Sequence, residues 1–340
     1  MITAIIALTV FWCEFAVFYF TLWTSCDWPQ IGGKAGDEYI RAMLLSDTHL
    51  LGRRKGHWFD KLRREWQMYV SFLAATHLFV PESVFFLGDI LDEGQIASKE
   101  EFEVYTKRYE QIFASSAKRV VVAGNHDVGF HDRLLFFDPY LRVRFEKAFN
   151  SSLVEMFEIK GVKFVVVNSM ALEGDDCHLC YEAFDEINRL GKKLSSDCQN
   201  FATCRPVLLM HFPLYRESDE ICNEIDSDFS AARTAKFKPK IDCVSRESTD
   251  FILKKLKPRV VFTGHTHHGC LVRHTEAAIE EWTLASFSWR NKRSPSFLLA
   301  IISANDYKIA KCVLPNEVTV IGTYVCALIS LIVYLVKVCK

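Results

Sequence analysis

Five short apolar runs in this chain all stop at the same kind of residue. "RAMLLSDTHLLG" ends in Asp47, Thr48 and His49, and "SVFFLGDILDEG" ends in Gly88 and Asp89, with Asp92 three residues on. "RVVVAGNHDVGF" ends in Gly124, Asn125, His126 and Asp127, "RPVLLMHFPLY" in His211, and "RVVFTGHTHHG" in Gly264, His265, Thr266 and His267. Short runs rich in β-branched residues, without polar alternation, read as strands buried on both faces of an α/β sheet. Ligands of open α/β sheets sit beyond the carboxyl ends of the strands. The pattern therefore sets both the fold class and the place where chemistry is done. A single such end is explained by turn-forming Gly and Asn, and a lone histidine at a core edge is usually structural. Five ends that all deliver Asp, Asn or His call for a common ligand.

The rest of the middle fits that class. Helical periodicity is clear over residues 57–79, 99–113, 181–194 and 248–256. "MFEIKGVKFVVVNSM" reads as a β-hairpin turning at Lys160 and Gly161. Residues 216–242 are polar and irregular, as expected of a loop near a site. The two segments after His267 alternate as antiparallel strands do. Early βαβ units followed by strands predict one α/β domain over 30–315, with two packed mixed sheets and helices outside.

Both ends are apolar. Residues 2–23 carry Glu14 as the only charge, and residues 318–336 carry none, with Lys337 and Lys340 following. Each is about long enough to span a bilayer. The first run lacks a basic leader and exceeds the roughly 7–15 apolar residues of a signal peptide, so it reads as a retained span. The expected organisation is a transmembrane helix over 1–24, the domain, and a second transmembrane helix over 318–336. A Glu14 inside a span is costly, and implies a protein partner or a function. Two spans with a basic tail place both termini in the cytosol and the domain in a lumenal or extracellular space. Asn150-Ser151-Ser152 is a glycosylation sequon. Of twelve cysteines, Cys177, Cys180, Cys198 and Cys204 cluster. They read as disulfides in an oxidising compartment, with a small zinc site as the competing reading. A formal net charge of -1 gives no footprint for nucleic acid.

The candidate metal ligands are Asp47, His49, Asp89, Asn125, His211, His265 and His267. Seven are too many for one tetrahedral zinc. They suit two ions roughly 3.5–4 Å apart that share a carboxylate and clamp a phosphoryl group. Imidazole with carboxylate favours Mn, Fe or Zn over Ca or Mg. Two divalent ions outweigh the charges of Asp47 and Asp89, so the loaded site attracts an anion. His126 follows a candidate ligand and is placed to act as general acid, with Asp92 a candidate to hold its ring. In "SFSWRN", Phe287, Trp289 and Arg290 either line the mouth or, for the two aromatics, belong to a strand core.

"DTH", "GDILDEG", "GNHD", "MHFP" and "GHTH", in this order, resemble the five blocks of the calcineurin-like metallophosphoesterases, which implies an α/β fold of four layers, an α/β/β/α sandwich. The resemblance implies that Asp47, His49, Asp89 and His267 bind one metal and that Asp89, Asn125, His211 and His265 bind the other, with Asp89 bridging. It implies that His126 contacts phosphate and pairs with Asp92. The further segments "CDWP", "AGNHDVGFH", "VNSMALEGD", "MHFPLYR" and "SFSWRNKRSPSF", with the apolar flanks, are similar to a membrane-bound branch of that family. This implies a manganese phosphodiesterase that removes ethanolamine phosphate from the second mannose of GPI anchors, and so promotes ER-to-Golgi transport of GPI-anchored proteins. Its partners would be those proteins and cargo receptors of the early secretory pathway. Its compartments would be ER exit sites, the intermediate compartment and the Golgi. The rival expectations are the same chemistry on another phosphomonoester or phospholipid-linked diester, and a non-catalytic scaffold on this fold. A scaffold tends to lose ligands or the catalytic histidine, and here all eight residues are present.

Overall fold

Alternation along a single strand shows how the layers form. In β1 (Tyr39–Leu45), Ala42 and Leu44 face a second sheet, while Met43 and Leu45 face helices. All four are fully buried, as the unbroken apolar run requires. The computed structural model describes residues 2–30, 32, 38–130, 139–173, 178–196 and 205–338. Among the described residues the first sheet has the order β11-β10-β1-β2-β3. Its parallel strands are β1, β2 (Ser83–Leu87) and β3 (Lys118–Val122); β10 (Ser296–Ser303) and β11 (Tyr307–Val313) add antiparallel strands beside β1. The second sheet contains β4 (Val154–Ile159), β5 (Val162–Val167), β6 (Val207–Leu209), β7 (Val260–Thr263), β8 (Cys270–His274) and β9 (Ile279–Thr283), in the order β4-β5-β6-β7-β9-β8. The sheets meet through residues such as Leu44, Phe85, Phe164 and Phe262, with the Phe85 and Phe164 rings 5.1 Å apart.

Among the described residues the α-helices are α1 (Ile2–Phe11), α2 (Val17–Ser25), α3 (Trp58–Phe79), α4 (Lys99–Ile112), α5 (Asn125–Val128), α6 (Pro139–Phe149), α7 (His178–Ser196), α8 (Ser230–Arg233), α9 (Arg246–Leu256) and α10 (Glu317–Val338). Local chemistry sets their ends. A capping box between Ser98 and Glu101 starts α4, and Ser245 caps α9 by accepting from the Ser248 N–H. The expected hairpin is present: β4 and β5 join through Lys160 and Gly161, both at positive φ, as a two-residue hairpin turn demands. The result is the expected four-layer α/β/β/α sandwich with two mixed sheets.

The terminal helices are long and apolar enough to cross a membrane, over Ile2–Ser25 and Glu317–Val338. The first is continuous through a π-helical step at Trp12–Ala16. Glu14 has partners within it: the Tyr324 hydroxyl donates to its carboxylate at 2.7 Å, and the Trp66 indole donates to its carbonyl at 3.3 Å. The second half of this helix belongs to the domain core. Phe18 and Leu22 are fully buried, and a disulfide joins Cys26, just past α2, to Cys312 on β11. A second disulfide joins Cys222 and Cys270. Of the cysteine cluster, Cys180 is buried on α7, and Cys177, Cys198 and Cys204 lie outside the described residues.

Candidate metal centre

The carboxyl ends of β1, β2, β3, β6 and β7 converge where the two sheets meet. Asp47 and His49 follow β1, Asp89 follows β2, Asn125 follows β3, His211 follows β6, and His265 and His267 follow β7. Ligand atoms of Asp47, His49, Asp89 and His267 lie within 4.8 Å of one another, and so do those of Asp89, His211 and His265. Asp89 belongs to both groups. Its Oδ2 is 3.5 Å from His49 Nε2 and 3.3 Å from His211 Nε2.

Backbone geometry aims these side chains. Asp47, His49, Asp89, His265 and His267 all have positive φ, between 44° and 74°. That region is uncommon for residues other than glycine and clusters at functional sites. Two glycines make the close approach possible. A Cβ on Gly88 would enter the His211 ring, and one on Gly124 would strike the Asp89 carboxylate. Short hydrogen bonds fix the donors further. His211 Nδ1 donates to the Leu87 carbonyl at 2.6 Å, His265 Nε2 to the Ile241 carbonyl at 2.7 Å, and the His265 N–H to Asp47 Oδ2 at 3.0 Å. These contacts turn His211 Nε2 and His265 Nδ1 inward.

Those inward atoms test whether the residues fit a metal. Asp47 Oδ1, Asn125 Oδ1, His211 Nε2 and His265 Nδ1 are buried with no hydrogen-bond partner. Buried polar atoms are almost always satisfied, so four orphans in one cluster need a ligand. His49 Nε2 and His267 Nε2 approach to 3.0 Å, a spacing natural for two donors to one ion. Electrostatics agree. Burial draws His265 down to about 3 and His267 down to about 4, so both present neutral imidazoles. Burial opposes charge on His49 and His211 as well. The adjacent carboxylates nevertheless raise His49 to about 10 through Asp47, Asp92 and Asp89, and His211 to about 9, chiefly through Asp89. Asp89 is held well below the usual carboxylate range against its own burial. The carboxylates thus demand positive charge in the cluster, and divalent cations answer that demand. The seven residues fit two such ions.

Asp92 and His126 are brought together, and the Asp92 carboxylate also has a second imidazole neighbour. The Asp92 carboxylate accepts from His49 Nδ1 at 3.1 Å and lies 3.7 Å from His126 Nδ1. His126 Nδ1 donates instead to the backbone carbonyl of Asp92, at 3.0 Å. The physical reason is reach: the carboxylate is turned toward His49, Lys55 at 3.4 Å and Arg290 at 3.5 Å. Although burial opposes its charge, these neighbours, led by His49, hold Asp92 down at about 2. The aromatic expectation for "SFSWRN" is corrected toward the core: Phe287 and Trp289 are buried, and only Arg290 of the three reaches the site. Trp289 instead donates to the Pro315 carbonyl at 3.0 Å and packs on Phe18, tying the domain to its terminal helices.

Sequence reasoning gave no role to Asp127, Lys55 or Asn291. Asp127 is buried and accepts from the N–H groups of Leu91, Ile90 and Gly124, at 2.9, 3.2 and 3.0 Å. It pins the loop after β2 to the loop after β3. Burial and the neighbouring Asp89 charge raise it to about 7, against the pull of those donors. Its signal was its place in "GNHD", directly after the candidate acid. Asn291 Nδ2 is 3.4 Å from His267 Nε2.

Comparison with known proteins matches this geometry. Residues 40–269 match the model of the calcineurin-like phosphoesterase family. The chain is 42% identical to Metallophosphoesterase 1 of Ailuropoda melanoleuca, over 99% of this chain and 88% of that protein. It is 41% identical to the Metallophosphoesterase 1 homolog of Drosophila melanogaster, over 95% and 88%. A purple acid phosphatase from yellow lupin, Lupinus luteus, shares the fold at TM-score 0.54 and 11% identity, over 84% of this chain and 52% of that one.

Proposed function

The chain belongs to the calcineurin-like phosphoesterase family and is a metal-dependent phosphoesterase, and we propose that it is a manganese phosphodiesterase acting on a membrane-borne substrate. The observation that carries the chemistry is the set of seven inward donors, four of them with orphaned atoms. Asp47, His49, Asp89 and His267 would hold one ion, and Asp89, Asn125, His211 and His265 the other. Such ions supply Lewis-acid charge for the phosphoryl oxygens and a nucleophilic water at neutral pH.

The chain's own groups do the rest. Because His126 Nδ1–H is engaged by the Asp92 carbonyl, Nε2 is the atom that faces the substrate. There it gives a proton to the leaving oxygen as the P–O bond breaks. The His126 side chain is 28% exposed, against 2% for His49, so it is open to a substrate arriving from solvent. Asp92 positions His49, and Asp127 holds the two loops together.

The substrate we propose is the ethanolamine phosphate on the second mannose of GPI anchors. Its removal would promote ER-to-Golgi transport of GPI-anchored proteins, in concert with cargo receptors. The reading is supported by the segments shared with the membrane-bound branch of the family and by two membrane-length helices. The disulfides Cys26–Cys312 and Cys222–Cys270 suit an oxidising lumen, and Asn150 of the sequon is exposed. The chain would be a multi-pass protein of ER exit sites, the intermediate compartment and the Golgi, with the catalytic domain lumenal and both termini cytosolic. The test is to restore the gene to cells that lack the activity and weigh the GPI glycan by mass spectrometry. Loss of one ethanolamine phosphate from the second mannose is expected with the intact chain and not with a His126→Ala chain. An unchanged glycan, with hydrolysis of bis-p-nitrophenyl phosphate intact, would assign the enzyme to another phosphomonoester or lipid-linked diester.

A further inference from the structure

The start of α3 carries a large apolar surface on a loop-helix segment whose charged residues are mainly basic, with Asp60 the acidic residue of the first turn. Trp58, Phe59 and Leu62 are 67%, 55% and 56% exposed. Trp58 and Phe59 have ring centroids 5.7 Å apart, so they form one patch. Arg53 is exposed just before it and Lys61 is half-buried within it, while Arg54 is held by Glu101 at 2.8 Å. Contiguous exposed apolar side chains of this size mark interaction surfaces.

The direction of this patch follows from helix pairing. Phe15 stacks edge-on against Trp66 at 5.0 Å, the Tyr19 hydroxyl meets His77 Nδ1 at 3.0 Å, and Trp28 packs on Phe79. Residue numbers rise together along the two helices, so the N-terminal helix and α3 run side by side in the same direction. Going backward past Trp66, α3 therefore extends the way α1 extends backward from Glu14, toward the membrane side. The second terminal helix leaves the domain at the same level: Glu317, its first residue, is ion-paired with Arg63 at 3.3 Å and also with Arg64. Trp58 lies five residues before Arg63. At 1.5 Å per residue it reaches roughly 8 Å beyond the point where α10 sets out. Apolar faces of interfacial helices enter the headgroup–acyl boundary by about 5–10 Å.

We propose that the first two turns of α3 dock on the bilayer that the terminal helices cross, with Trp58, Phe59 and Leu62 in the headgroup–acyl boundary and Arg53 and Lys61 at the lipid phosphates. This rests on the membrane reading above. Two features select lipid as the occupant. The patch is continuous with the membrane-length helices through the Glu317 ion pairs, and its composition pairs aromatic anchors with basic residues, as membrane interfaces do. A consequence reaches the site. Residues 52–57 join the patch to the metal centre, and Lys55 Nζ lies 3.4 Å from Asp92 Oδ2, the carboxylate that holds His49. Docking at Trp58 would set the catalytic mouth within one loop of the headgroups. A phosphodiester carried on a lipid glycan would then arrive at high effective concentration.

The test uses the full chain reconstituted in phosphatidylcholine vesicles, with and without brominated acyl chains. The difference in emission between wild type and Trp58→Phe isolates Trp58 from the other tryptophans. We expect brominated chains to remove at least half of that difference signal and aqueous acrylamide to remove little. If the protein floats with the vesicles while the Trp58 signal is quenched by acrylamide and not by bromine, docking is wrong and the membrane reading stands. Failure to float would overturn both. A Trp58→Ser, Phe59→Ser, Leu62→Ser chain should hydrolyse bis-p-nitrophenyl phosphate at the wild-type rate. It should lose at least tenfold on a vesicle-borne lipid with a p-nitrophenyl phosphodiester headgroup. Equal rates on both substrates, or equal losses on both, would overturn the proposal.

Discussion

Asp92→Asn separates two roles for one carboxylate. If Asp92 serves the metal centre, the substitution weakens the hold on His49. If it serves His126, the substitution slows proton transfer. The structure favours the first, because the carboxylate meets His49 Nδ1 at 3.1 Å while His126 Nδ1 is 3.7 Å away. Both partners of the short contact are buried, at 2% and 4% exposure. A hydrogen bond to a charged group is worth about 1.5–3 kcal/mol, against about 1 kcal/mol for a neutral pair. Asn keeps an acceptor oxygen for His49, so the expected loss is the difference, on the order of 1 kcal/mol. That is about a five- to tenfold rise in the metal concentration giving half-maximal activity. Partners that orient a metal-binding histidine typically contribute 10–100-fold, and Asp92→Ala should fall toward the upper part of that range. The assay is hydrolysis of bis-p-nitrophenyl phosphate by metal-stripped protein titrated with Mn2+. For Asp92→Asn we expect kcat at saturating metal within about threefold of wild type, since His126 is held by a backbone carbonyl that the substitution leaves in place. An unchanged metal titration with kcat down by a hundredfold or more would refute the reasoning and return the carboxylate to His126.

His126→Ala should behave in the opposite way, with metal content by mass spectrometry unchanged and turnover down ~10²–10⁴-fold; excess Mn2+ should not restore it. Gly124→Ala should cost about 1–3 kcal/mol from overpacking against the Asp89 carboxylate, read as a lower melting temperature and reduced metal content, whereas Gly161→Ala, with open space around its Cβ, should lose no metal. Replacing Cys26 and Cys312 by Ala removes a link across 286 residues and should lower stability by roughly 2–5 kcal/mol, with dithiothreitol lowering the wild-type melting temperature and having a smaller effect on the variant.

What was legible in the sequence was local, and what was not depended on distant neighbours. The five strand ends could be read because burial of a strand and polarity of its last residues are properties of a dozen consecutive residues. The helix over Trp58–Phe79 and the hairpin at Lys160 and Gly161 were visible for the same reason. The disulfides Cys26–Cys312 and Cys222–Cys270 were not, since pairing depends on where separate elements meet. Nor could hydropathy divide the first helix. Phe18 and Leu22 look the same whether lipid or protein surrounds them, and here protein does. Phe287 and Trp289 carried the same ambiguity. The spacing of Asp92 from Asp89 places it near the site without fixing the direction of its carboxylate, which lies 3.1 Å from His49 Nδ1 and 3.7 Å from His126 Nδ1.

The feature least accessible from the sequence argues most directly for chemistry. Asp47, His49, Asp89, His265 and His267 come from three different loops, yet all hold a left-handed backbone. Conformations of this kind cost of order 1–3 kcal/mol each and persist only where the surroundings over-determine them. The surroundings here do so: Asp47 N–H donates to the Gly88 carbonyl, His49 N–H to the Asp89 carbonyl and Leu50 N–H to the Ile90 carbonyl, at 3.1, 2.9 and 2.9 Å. The Ser286 hydroxyl adds a bond to the Asp47 carbonyl at 2.7 Å. The loops after β1 and β2 are thus laced together residue by residue, with Asp127 bracing the second of them from below. Such bracing would serve no purpose in a fold that only had to bury its strands, since ordinary turns would end them without strain. It does serve two ions that each need three or four donors at fixed separations.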